Sequence, residues 1–125
     1  MQDKELRAII DEHVGMIPYS KVTSEQASKK ATAFLVALAI LTDEKRGCDE
    51  DKAKLSTLVS ASYAQALSRS MAKQVTEKKV EAEQDNNYTK MREALEECEA
   101  KISWLKNYMN IFENAHVTYR QLSKE

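Results

Sequence analysis

Between Tyr88 and Tyr119 one set of positions recurs in alternating steps of three and four: Tyr88, Met91, Leu95, Cys98, Ile102, Leu105, Met109, Phe112, His116 and Tyr119. Read as heptads, these are the a and d positions of a helix that keeps one seam turned toward a partner. A second stripe, Trp104, Tyr108, Ile111 and Ala115, falls at c and g and widens the apolar arc past Ala100. A two-stranded coil needs only the narrow stripe, whereas a broad arc suits a helix wedged between two neighbours. The pattern predicts a helix ending near Gln121, roughly 50 Å long at 1.5 Å per residue. Its narrow half would zip onto another helix of the chain. Its wide half, Trp104, Leu105, Tyr108, Met109, Ile111 and Phe112, is the expected oligomer interface; the competing reading is packing against the chain's own second helix.

Three further elements follow from the same kind of pattern. Leu6, Ile9, Ile10 and Val14 share a face and predict a short helix over residues 3–14, stopped by Gly15 with Pro18 beyond it. The stretch Met16 to Val22 reads as a connector. Thr23 or Ser24 can cap a second helix, with Glu25 and Gln26 in its first turn, running to about Lys45. Its centre, Phe34 to Leu41, is apolar nearly all round, which predicts burial on most sides. Gly47 and the acids Asp49, Glu50 and Asp51 read as a break and a new N-terminus. A third helix is expected from Glu50 to Glu83, its inner side made of Leu55, Leu58, Val59, Ser62, Ala66, Ser70 and Met71. Asp85, Asn86 and Asn87 are the strongest turn signal before the fourth helix.

Composition supports this all-α reading. Two Gly, one Pro and 31% charged residues leave too few turn-makers for a sandwich or barrel. The expected fold is one short and three longer helices with a C-terminal helical hairpin: a short helix and connector over residues 1–22, then a helical domain over 23–125 holding the hairpin 50–123. In a chain of 125 residues much of the apolar fraction is Ala, so oligomerisation is a reasonable source of further burial. The apolar run Phe34 to Leu41 is too short to span a bilayer, and no membrane association is expected. Cys48 and Cys98 match no zinc or redox spacing. Free thiols in a reducing, cytoplasmic setting are therefore expected, with a disulfide unsupported.

Charge changes the picture more than its near-zero sum suggests. From Lys52 to Lys79 six basic residues, Lys52, Lys54, Arg69, Lys73, Lys78 and Lys79, face one acid, Glu77, for a net +5. From Glu81 to Glu99 seven acids face Lys90 and Arg92, for a net −5. The basic stretch is also rich in Ser, Thr and Gln, which donate hydrogen bonds to phosphate oxygens where Lys and Arg neutralise charge. Arg69 and Lys73, four apart, would share a helix face. Tyr63, if exposed, could stack on a base. The alternative is that the basic stretch pairs with the acidic one across a hairpin. Lys29, Lys30, Lys45 and Arg46 add basic pairs at either end of the second helix. No glycine-rich phosphate loop, Cys-His pair, metal-ligand set or distinct acid-base pair stands out. The chain therefore reads as a binding protein without cofactor or metal, not as an enzyme.

The C-terminal half resembles small phage recombination mediators of the UvsY-like kind. A basic helical stretch is followed by Asp85-Asn86-Asn87-Tyr88, Ala94-Leu95 and Ala100-Lys101-Ile102-Ser103-Trp104-Leu105, and closes with Tyr119-Arg120-Gln121. The resemblance covers roughly residues 70–122. It implies a helical protein that closes into a ring or similar oligomer through its C-terminal helix. It also implies binding to single-stranded DNA, and help in loading a strand-exchange recombinase where single-strand-binding protein would exclude it. The DNA-contacting surface would fall, by chemistry, on the basic segment, with Lys54, Arg69 and Lys73 leading. The alternative function is a helical protein-interaction module, such as a phage-encoded inhibitor or a coiled-coil adaptor, that binds no nucleic acid.

Overall fold

A computed structural model describes residues 1–17 and 21–124. Its elements are α1 (Asp3–Val14), α2 (Ser24–Arg69), α3 (Val75–Glu83) and α4 (Asn86–Leu122), and no strand occurs among the described residues. The all-α class stands. The division into helices differs from expectation, because two helices are long and two are short. Pro18 and the middle of the expected connector lie outside the described residues.

Local chemistry sets several boundaries as expected. Thr23 Oγ1 accepts from the Gln26 N–H at 3.1 Å, while Gln26 Oε1 accepts from the Thr23 N–H at 2.9 Å. This reciprocal capping box satisfies two backbone donors that have no partner within the helix. Asp85 Oδ1 accepts from the Tyr88 N–H at 3.0 Å and caps α4 in the same sense. Gly15 does follow the last residue of α1, but with a right-handed φ of −63°, so no left-handed stop is involved.

Two expected boundaries are absent or displaced. Gly47 does not break the chain: α2 runs through it for 46 residues. A mid-helix glycine costs about 1 kcal/mol relative to alanine. Extending a helix already formed costs far less than nucleating a new one, and Gly47 sits among good helix formers. The acids Asp49, Glu50 and Asp51 are therefore interior to α2. The break falls instead after Arg69, inside the expected third helix. There Ser68 Oγ donates to Gln65 O at 2.8 Å. Ser70 Oγ accepts from the Ala72 N–H at 3.2 Å and donates to Glu81 Oε2 at 2.5 Å. Serine hydroxyls that bind nearby backbone offer it an alternative to the helical ladder.

The chain forms two compact units. The first comprises Met1–Arg46 with Ser103–Glu125. Leu6 and Ile10 of α1, Phe34, Ala37 and Leu41 of α2, and Leu105, Phe112, Ala115 and Tyr119 of α4 make its core. Phe34 stacks on Tyr119 at 5.8 Å and meets Phe112 at 5.6 Å; His13 lies 5.8 Å from both phenylalanine rings. Tyr119 Oη donates to Met16 O at 2.8 Å, so this deep ring keeps its polar end satisfied. His116 Nδ1 lies 2.8 Å from Ala31 O. A carbonyl can only accept, so Nδ1 carries the proton. His116, a polar residue in the seam, thereby ties α4 to α2 within this unit.

The second unit, Gly47–Ile102, pairs the rest of α2 with the start of α4 and includes α3. Cys98 Sγ donates to Cys48 O at 3.2 Å, Asn87 Nδ2 to Ser62 Oγ at 3.3 Å, and Tyr63 meets Tyr88 at 5.2 Å. As numbering rises on α2 it falls on α4, so the two run antiparallel here. The hairpin is therefore made by α2 and α4, with residues 70–85 as its connection. Asp85 to Asn87 mark only the α3–α4 junction. The buried positions are Cys48, Ser62, Ala66, Ala82 and Ile102. Of the inner side expected for this stretch only Ser62 and Ala66 are buried; Leu55, Val59 and Ser70 are half-buried, and Leu58 and Met71 are exposed, Met71 because it lies past the end of α2.

Candidate nucleic-acid interface

The six basic residues all belong to the second unit. Lys52 and Lys54 lie on exposed positions of α2, Arg69 is its last residue, Lys73 sits in the connection, and Lys78 and Lys79 are on α3. Lys78 is half-buried and the other five are exposed. Among the described residues, none of the six makes an ion pair; pairs that do form include Met1–Glu44, Glu25–Lys29, Asp43–Arg46 and Arg92–Glu96. The alternative reading, neutralisation of the basic stretch by the acidic one across a hairpin, is not realised through salt bridges of these six residues. Arg69 and Lys73 do not share a helix face, because α2 ends between them. Lys52 and Arg69 are separated by about 25 Å of helix axis at 1.5 Å per residue. The cations form a string along α2, the connection and α3 rather than one cluster.

Tyr63 is half-buried and its ring lies against Tyr88, which also carries Arg92 5.5 Å from its centroid. It is not the open platform that base stacking would need. Near the other end of the unit the Cys98 thiol is raised above its ordinary pKa. Partial burial is the main cause. The carboxylates of Asp51, Asp49 and Glu99 add to it, and the Lys52 ammonium opposes it. Lys52 therefore sits in a mixed field of acids. Lys54, Arg69, Lys73 and Lys79 are the freer cations.

The residues expected to hold copies together lie in the first unit. Leu105 and Phe112 are wholly buried by the chain itself and offer no surface to a partner. Trp104, Tyr108, Met109 and Ile111 are half-buried. Arg7 of α1 lies over Trp104 at 5.9 Å, and Tyr108 meets both Trp104 and Phe112. The wide arc of α4 is thus explained in part by α1 and α2 of the same unit. Conversely, the apolar run of α2 is covered on one side only. Phe34, Ala37 and Leu41 are buried, whereas Leu35 is 50% and Val36 54% exposed. Continuous hydrophobicity hid this face, because periodicity cannot separate two sides that are both apolar.

Among the described residues no group of His, Cys, Asp and Glu could hold a metal ion, and no helix is long and apolar enough to cross a membrane. No protein family, curated protein or solved structure matches the chain.

Proposed function

We propose that the chain binds single-stranded DNA through the basic string of the second unit and serves as an accessory factor in phage-type recombination, helping to load a recombinase. The observation that carries this reading is the set of cations from Lys52 to Lys79 left without ion pairs among the described residues, beside a strongly acidic segment. Unpaired cations keep their full attraction for phosphate, and releasing the counterions of the nucleic acid drives association. A string spread over two helices and a connection suits a flexible strand that can follow it better than a rigid duplex. The resemblance of residues 70–122 to recombination mediators supports the biological role. A second reading, a helix-docking module that binds no nucleic acid, is favoured by the exposed Leu35 and Val36.

Fluorescence anisotropy with single-stranded and duplex oligonucleotides separates these readings. Tighter binding to the single strand is expected. If all six cations engage phosphates, raising salt from about 50 to 200 mM should weaken it on the order of 10²–10³-fold. The Arg69→Glu, Lys73→Glu double variant should lose more than about tenfold at low salt. Absence of binding by the unmodified chain at low salt would sink the proposal.

A further inference from the structure

The outer face of α2 in the first unit has an order that nucleic-acid binding does not use. Glu25, Lys29, Thr32, Leu35, Val36, Ala39, Asp43 and Arg46 are all exposed. At 3.6 residues per turn they fall within about 120° of one another, so they form one stripe. Its centre is Leu35 and Val36, each about half exposed. Thr32 and Ala39 flank that centre. Beyond them lie an acid and a base at each end: Glu25 and Lys29, paired at 3.6 Å, then Asp43 and Arg46, paired at 3.5 Å.

This order is complementary to itself when reversed. Setting two such helices antiparallel, with a two-fold axis between Leu35 and Val36, puts Leu35 against Val36 of the second copy and Thr32 against Ala39. Glu25 then lies level with Arg46 of the second copy, and Lys29 lies one residue, about 1.5 Å, from the level of Asp43, within reach of its long side chain. Symmetry repeats every pairing, giving four opposite-charge contacts around an apolar centre. A parallel arrangement would set Glu25, Lys29, Asp43 and Arg46 each beside its own copy, like charge on like. A two-fold interface requires that the patch be complementary to itself in this way.

We infer that this face of α2 is a self-association surface, on which a second copy of the chain docks antiparallel about Leu35 and Val36. The surface is distinct from the α4 seam, and it stands or falls independently of nucleic-acid binding. The stripe is about 32 Å long and a helix about 10 Å across, so each copy contributes on the order of 300 Å². That is well below the roughly 800 Å² per partner of a standard stable interface. The dimer is therefore weak and reversible; area alone does not fix its affinity, so it is sought from about micromolar to millimolar chain concentration.

Sedimentation equilibrium of the full chain across that concentration range tests the inference, with circular dichroism checking that each variant stays helical. The unmodified chain should pass from monomer to dimer. Leu35→Asp should weaken the dimer more than about tenfold, because it removes an apolar contact and places a charge at the centre of the interface. Lys29→Asp alone should weaken it as well, by setting two acids together, and so should Asp43→Lys. Combining Lys29→Asp with Asp43→Lys should restore association, because the intermolecular pair is rebuilt with its signs exchanged. A chain that stays monomeric throughout overturns the inference. So does a dimer indifferent to Leu35→Asp, or one for which the combined charge exchange is no better than either single change.

Discussion

At the residue scale, Cys98 shows how position converts a common side chain into a measurable probe. Its thiol donates to Cys48 O, and burial with the nearby carboxylates raises its pKa. The thiolate is the reactive species, so a raised pKa means slower alkylation at a given pH below it. In the folded chain at mildly alkaline pH, Cys98 should react with iodoacetamide more slowly than in the urea-unfolded chain. The difference should shrink as pH rises through the folded-state value. Asp51→Asn should speed the reaction and Lys52→Gln should slow it, each read by mass spectrometry of the labelled peptide. His116 and Tyr119 make a related point. Spacing placed both on the α4 seam, but their hydrogen bonds to Ala31 O and Met16 O come from residues 85 and 103 positions away.

At the element scale, the clearest difference between pattern and structure is the uninterrupted α2. Gly47 lies mid-helix without a positive φ, and a Cβ added there meets nothing within 4 Å. It is neither a required turn nor a close-packing site. Gly47→Ala should therefore stabilise the protein by about 0.4–1 kcal/mol, mainly by restricting the unfolded chain, as measured by urea denaturation. A loss of stability would mean that the glycine serves a contact not seen here. The opposite error, expecting helix through residues 70–74, has a local cause. Good helix formers surround the break, but Ser68 and Ser70 turn their hydroxyls onto nearby groups and Gln74 begins a separate short helix. The start of α2 was legible where the breaks were not, because the Thr23–Gln26 box acts within four residues of chain.

At the scale of the whole molecule, the two units differ in how they are held together. Among the described residues, the seven largest fully buried side chains, Tyr119, Phe34, Phe112, Leu6, Ile10, Leu41 and Leu105, all belong to the first unit. Apart from Ile102, the second unit buries small side chains, and it leaves Leu58, Met71, Val75 and Val80 exposed. Burial of a large aliphatic or aromatic side chain contributes about 1.5–3 kcal/mol, and local opening free energy follows such contacts. Amide hydrogen exchange should therefore be slower at residues 27–41 and 105–119 than at 48–66 and 88–102. Equal protection in both would show that the small-residue packing of the second unit is as strong as an aromatic core. The unit proposed to follow a flexible strand is thus the one with fewer large buried contacts, and the proposed self-association face lies on the better-packed one.

The amino-acid sequence by itself determined that the chain is helical, where α1 ends, that Thr23 or Ser24 caps α2, and that α4 carries a seam. These depend on propensity, period and contacts within a few residues. It also determined the segregation of charge that underlies the proposed nucleic-acid surface. Only the tertiary structure decided which partner each apolar face meets. The wide arc of α4, which matched an interface between copies, is partly covered by α1 and α2 within the first unit: Leu105 and Phe112 are buried, and Trp104, Tyr108, Met109 and Ile111 are half-buried. The apolar run of α2, which matched a fully buried core helix, keeps Leu35 and Val36 in solvent. Hydrophobic burial is non-directional. A pattern can say that a face is apolar, but the arrangement of the other helices decides whether the same chain covers it.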